Sequence, residues 1–226
     1  MNTKPEGFLP ITKLPNNCSE CLNMRNGMTS EGCQILTGRM PSFSTDHRPS
    51  HCPIRPVTAK KLRLLLNKDC NRNCIGCCNK DWDLDKLPIC RDYTKYDEIL
   101  LTGGEPMLYP ERIITVIKQI RTENPSAKII LYTAMVNNLD IVLPYLDGIT
   151  LTLHDKNDIE PFLNFERTAT PLYMHNMSLR LNIFEEAGEL SERLIWRWQI
   201  KDHMHWIKNC PLPENEEFMI WKGIGV

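Results

Sequence analysis

Short apolar runs alternating with helix-patterned stretches predict an α/β fold for residues 59–226, a compact partial (β/α) barrel that follows a small cysteine-rich extension over residues 1–58. Three observations carry this expectation. The runs Leu62–Leu66, Lys128–Thr133 and Ile149–Leu153 are nearly continuous in apolar residues, as strands of a parallel sheet covered on its faces read. Stretches of helical period lie between such runs, which favours parallel strands joined by crossovers. Residues 1–58 show no sustained period, are rich in Pro, Asn, Ser and Gly, and carry Cys18, Cys21, Cys33 and Cys52.

The elements follow in order. Leu62–Leu66 (LRLLL) is the first strand and runs straight into the string CNRNCIGC. Glu98–Leu101 is the second strand and ends at TGGEP, Thr102 to Pro106. Only about 20 residues separate Cys77 from that strand, so the first crossover is short and poor in helix. Pro110–Asn124 is a helix, with Pro at its start and Ile113, Ile114, Ile117 and Ile120 on its apolar side. Lys128–Thr133 is a strand, Leu139–Leu146 a short helix interrupted by Pro144, and Ile149–Leu153 a strand that stops at His154. Ile159–Arg167 reads as helix and Leu179–Phe184 as strand. Residues 186–209, with Trp196, Trp198 and Trp206 as packing residues, read mainly as helix, and a last strand covers Phe218–Trp221. Five or six such units make a partial barrel. Its chemistry belongs at the C-terminal ends of the strands, where the cysteine loop, TGGEP, Thr133, His154 and Asn182 all fall.

The loop Cys70–Cys77 has C-x3-C-x2-C spacing, which lets three thiolates wrap one small iron–sulfur cluster. Three ligands on a four-iron cube leave one iron open to a chelating ligand. A structural zinc site is the alternative, with a fourth ligand from Cys78, Cys90 or a distant residue, but zinc gives no reason for TGGEP after a strand. Together the two motifs resemble the radical S-adenosylmethionine (SAM) superfamily. The resemblance implies a [4Fe-4S] cluster on Cys70, Cys74 and Cys77. It implies SAM as a second cofactor, with Gly103, Gly104, Glu105 and Pro106 around its methionine end and Thr133 near its ribose. Reductive cleavage of SAM to a 5′-deoxyadenosyl radical, which takes hydrogen from a substrate, is the implied activity. An external reductant of flavodoxin or ferredoxin type is the implied partner.

A closer resemblance covers about a dozen residues. CIGCCNKDW, Cys74 to Trp82, is similar to C-x-G-C-Y-N-K-x-x-W of the anaerobic ribonucleotide reductase activating enzymes, with Cys78 in place of the tyrosine and the gap before Trp82 one residue shorter. That likeness implies a protein substrate on which a glycyl radical is placed. The compact core is also similar to 7-carboxy-7-deazaguanine synthases, although no motif marks a purine or pterin pocket. A non-catalytic zinc-binding interaction protein is the reading from a different class.

The N-terminal Cys18, Cys21, Cys33 and Cys52 suit a tetrahedral zinc site, an auxiliary cluster or four free thiols, and His47 or His51 could replace one cysteine. A net charge of −1 and a pI near 6.6 give no electrostatic case for nucleic acid or an anionic membrane. The first residues carry no apolar signal region, and no run approaches the roughly 20 apolar residues that span a bilayer. We therefore expect a cytoplasmic protein whose ten cysteines are mainly ligands, and chance N-x-S triplets at Asn17 and Asn176. The roles of Cys78, Cys90, His154, Arg180, Asn182 and Cys210 stay open at this level.

Overall fold

The computed structural model describes residues 24–25, 32–33, 60–168, 177–188, 190, 197–207 and 209–224. In the N-terminal extension, β1 (Met24–Arg25) pairs antiparallel with β2 (Gly32–Cys33). Cys33 lies in β2, whereas Cys18, Cys21, Cys52, His47 and His51 lie outside the described residues.

The remainder is one open sheet of eight strands: β3 (Lys61–Leu65), β4 (Ile89–Cys90), β5 (Glu98–Thr102), β6 (Lys128–Thr133), β7 (Gly148–Leu153), β8 (Ser178–Phe184), β9 (Gln199–Met204) and β10 (Glu216–Trp221). Their spatial order is β4-β10-β3-β5-β6-β7-β8-β9, and every neighbouring pair is parallel. This is the partial α/β barrel that the alternation of runs predicts. The last strand, β10, returns to lie against the first core strand, with Met219 opposite Leu64.

Alternation of side chains gives the sheet two different faces. Leu62, Leu64, Ile99, Leu101, Ile129, Leu131, Ile149, Leu151 and Leu181 belong to one buried aliphatic core. Helix α1 (Pro110–Glu123) adds Ile113, Val116, Ile117 and Ile120 to it, a run at i, i+3, i+4 and i+7. Short α2 (Leu139–Val142) adds Leu139 and Val142, and α3 (Ile159–Thr168) adds Phe162 and Phe165. The crossover from β3 to β5 contains no α-helix, only two single 3-10 turns and the two-residue β4. Among the described residues no helix is long and apolar enough to cross a membrane.

One expectation is corrected. Residues 199–204, read as part of a long helix, form the edge strand β9. Trp198 just before it is 1 % exposed, meets Phe162 edge-on at 5.4 Å and donates its indole N–H to Glu166 at 2.9 Å. Arg197 binds the same carboxylate at 2.7 Å. Strand pairing and this anchor outweigh the weak local preference of QIKDHM. Trp198→Ala is therefore expected to lower the unfolding free energy in urea by about 3–5 kcal/mol. A change near zero would mean that the indole is not docked in the core.

Candidate metal and cofactor site at the strand ends

Because all eight strands run the same way, the loops after β3, β5, β6 and β7 share one rim. The bonding begins where β3 ends. Leu66 N–H donates to Thr102 O at 2.8 Å, Gly104 N–H to Asn67 O at 2.9 Å and Glu105 N–H to Asp69 O at 2.7 Å. The buried Asn67 returns a side-chain N–H to Glu105 O at 3.1 Å. The two glycines permit this approach, since a Cβ on Gly103 would overlap the Asn67 side chain and one on Gly104 the Asp69 carbonyl. The residues of TGGEP are thus packed on the root of the cysteine loop.

The Glu105 side chain is 3 % exposed and points to the next strand end. Its carboxylate accepts from Thr133 Oγ1 at 2.6 Å, from Ala134 N–H at 2.9 Å and from Met107 N–H at 2.9 Å. Burial pushes its pKa up, while these donors and the nearby Arg72 pull it down. Thr133, itself buried, also accepts from Met135 N–H at 2.9 Å. One carboxylate therefore ties the loop after β5 to the end of β6.

The cysteine loop is held from several sides. Lys80 Nζ donates to Cys74 O at 2.7 Å, and Asn79 Nδ2 to Gly103 O at 2.7 Å. Arg72 forms a bidentate pair with Asp158, whose Oδ2 also accepts from His154 N–H at 2.7 Å. Asp155 and Asp158 form a reciprocal capping box ahead of α3. The face of Gly76 lies against Trp206, where a Cβ would overlap the indole. His154 stacks with Phe184 at 5.2 Å and with Trp206 at 5.5 Å. Burial, and then Arg72, hold the imidazole pKa below its usual value.

Cys70, Cys74 and Cys77 are free thiols, the first exposed and the others half-buried. Burial and the charges of Cys77 and Cys70 push the Cys74 thiol up, and Arg72 opposes them. Cys74 is thus within electrostatic range of both Cys70 and Cys77. Among the described residues no three His, Cys, Asp or Glu side chains already converge into a metal cage. The donor set nevertheless has the chemistry that a three-thiolate cluster requires. Of the other core cysteines, Cys78 pairs with Cys210, 132 residues away, and Cys90 is buried at the sheet edge, where burial raises its pKa.

Comparison with known families finds no matching family model, and comparison with curated proteins finds no match. Sequence reasoning missed Arg72 and the tie made by the Glu105 carboxylate. The Asp155-x-x-Asp158 spacing was a local signal for the cap that holds Arg72, whereas the Glu105–Thr133 bond had none.

Glu105→Ala would strand three donors, two of them main-chain, and is expected to cost about 3 kcal/mol of stability in urea unfolding. Glu105→Gln, which keeps one acceptor oxygen, should cost less. A loss within about 0.5 kcal/mol for alanine would contradict the tie. His154 gives a pH test. Its depressed pKa means that the stability from the neutral stacked ring is present above about 6.5 and lost as pH falls, because the unfolded chain takes up the proton first. Denaturation midpoints should drop below that pH in the native chain and not in His154→Phe. Parallel pH profiles would remove the ring from this account.

Proposed function

We propose that this protein is a radical SAM enzyme, with Cys70, Cys74 and Cys77 as ligands of a [4Fe-4S] cluster. The observation that carries this reading is three free thiols on one loop whose root is bonded to the TGGEP turn. When bound, the cluster would supply the electron that cleaves SAM and so generates a radical for hydrogen abstraction. The rest is the work of the chain's own residues.

Glu105 does not meet the ligand through its carboxylate in this reading, since that group is spent on Thr133, Ala134 and Met107. Main-chain oxygens take that role instead. Gly103 O already accepts from Asn79, and Glu105 O from Asn67. Among the described residues Gly104 O has no partner, which leaves it to accept from the methionine ammonium of SAM. Thr133, bonded to Glu105, fixes the neighbouring strand end. Ile75, 96 % exposed between two of the thiols, would shield the bound cluster from water. An external flavodoxin- or ferredoxin-type protein would deliver the electron.

Anaerobic reconstitution with iron and sulfide, followed by dithionite and SAM, should yield 5′-deoxyadenosine from the native chain. Cys70→Ala, Cys74→Ala and Cys77→Ala should each lower that yield at least a hundredfold. Cys78→Ser should keep more than half of it. Equal loss in all four variants, or none in the first three, would defeat the ligand assignment.

A further inference from the structure

The face of the sheet opposite the aliphatic core is mixed, with Leu65, Leu100 and Ile130 buried on it beside a set of polar side chains. By strand alternation and register, Arg63, Tyr132, Thr150, Thr152, Arg180 and Asn182 share it. It is also concave. Arg180 on β8 lies 3.9 Å from Glu98 on β5, with β6 and β7 between them. A flat sheet would hold β5 and β8 about 14 Å apart before the offset along the strands is added, beyond the joint reach of the two side chains. The sheet therefore curls around this face, and the face opens towards the rim that carries the cysteine loop.

Arg180 is the unexplained group there. Its side chain is 23 % exposed, yet its one partner among the described residues is that long ion pair, and no hydrogen bond engages its guanidinium. Glu98 is shared with Lys61 at 3.4 Å. By contrast, Arg63 on the same face donates Nε–H to Glu216 at 2.5 Å. The unpaired donors of Arg180 are open to solvent rather than sealed in the sheet, and so are available to a ligand. A second, independent observation lies beside Arg180. Thr150, the register partner of Arg180 on β7, is 3 % exposed, and its Oγ1 is buried without a hydrogen-bond partner.

We propose that Arg180 and Thr150 form the anion-binding floor of the substrate site, so that the substrate is a small molecule bearing a carboxylate or phosphate group. The guanidinium fork matches either oxyanion bidentately, and the threonine hydroxyl donates a third bond. Asn182 lies one same-face step nearer the rim, about 7 Å along the strand, with its Nδ2 3.4 Å from Thr152 Oγ1. A substrate anchored by its anion at Arg180 would extend past this pair, bringing its far end to the level of His154 and the cysteine loop. This assigns a substrate class to the site of the proposed reaction, and it rests on that reading for the chemistry but not for the binding.

The test uses the metal-free full chain, so it does not depend on cluster or SAM. Inorganic phosphate and malonate are titrated separately by calorimetry at constant ionic strength, against native protein and the variants Arg180→Gln, Arg180→Lys, Thr150→Val and Lys118→Gln. Native protein should bind at least one of the two anions saturably, and the tighter one identifies the group as phosphate or carboxylate. Arg180→Gln should weaken that binding at least tenfold, Arg180→Lys and Thr150→Val at least threefold, and Lys118→Gln, exposed on α1 at the other face of the sheet, by less than twofold. Thr150→Val changes neither charge nor volume, so it decides the matter if an Arg180 variant fails to fold. Saturable binding of neither anion to the native chain, or equal binding by native protein and Thr150→Val, would overturn the proposal.

Discussion

The buried carboxylate of Glu105 is the constraint on which the rim depends. A charged or polar group this deep must find its donors in the protein, and it finds them on two different strand ends: Thr133 and Ala134 after β6, and Met107 on its own loop. Its backbone is meanwhile bonded to Asp69 and Asn67, the residues that lead into the cysteine loop. Three consecutive loops are thereby fixed to one another through one residue. The Arg72–Asp158 pair extends the same frame to the loop after β7. A multi-ligand site needs such pre-arrangement, because a thiol loop free to fluctuate would lose ordering entropy with each ligand bond it forms.

The two faces of the sheet differ in composition. One face holds the aliphatic core against α1, α2 and α3, where burial supplies the driving force. The other buries Leu65, Leu100 and Ile130 as well, and sets arginines, hydroxyls and an amide among them. The order of the strands places β10 beside β3, so the end of the chain passes next to the cysteine loop. Trp206 on Gly76 and the Cys78–Cys210 link both reach that loop from the C-terminal side. The disulfide closes only under oxidising conditions; in a reducing compartment the same two residues would stand as neighbouring thiols.

Much of this was legible in the sequence, for a physical reason. Strands buried on both faces or on one aliphatic face read as apolar runs, so LRLLL, KIILYT and ITLTL announce themselves, and Pro110 with its isoleucines announces α1. The short, helix-poor first crossover was legible from length alone. The strand β9 was not, because QIKDHM at an open edge has neither an apolar run nor alternation, and its anchor, Trp198, also fits a helix. The thiol spacing and the TGGEP turn could be seen as a pair. What the glycines touch could not, since Gly103 and Gly104 serve contacts with Asn67 and Asp69 that exist only after β3 and β5 pair. Cys78 and Cys210 are likewise joined by the fold and not by any local pattern.

The claim at the centre of this account is that the core loop alone supplies a three-thiolate iron–sulfur site. Metal and sulfide analysis of anaerobically reconstituted chain in which Cys18, Cys21, Cys33 and Cys52 are all replaced by serine tests it most directly. About four iron and four sulfide per chain, retained with the N-terminal thiols gone, is the predicted result. Zinc in place of iron, or loss of all iron on removing the N-terminal four, would contradict it.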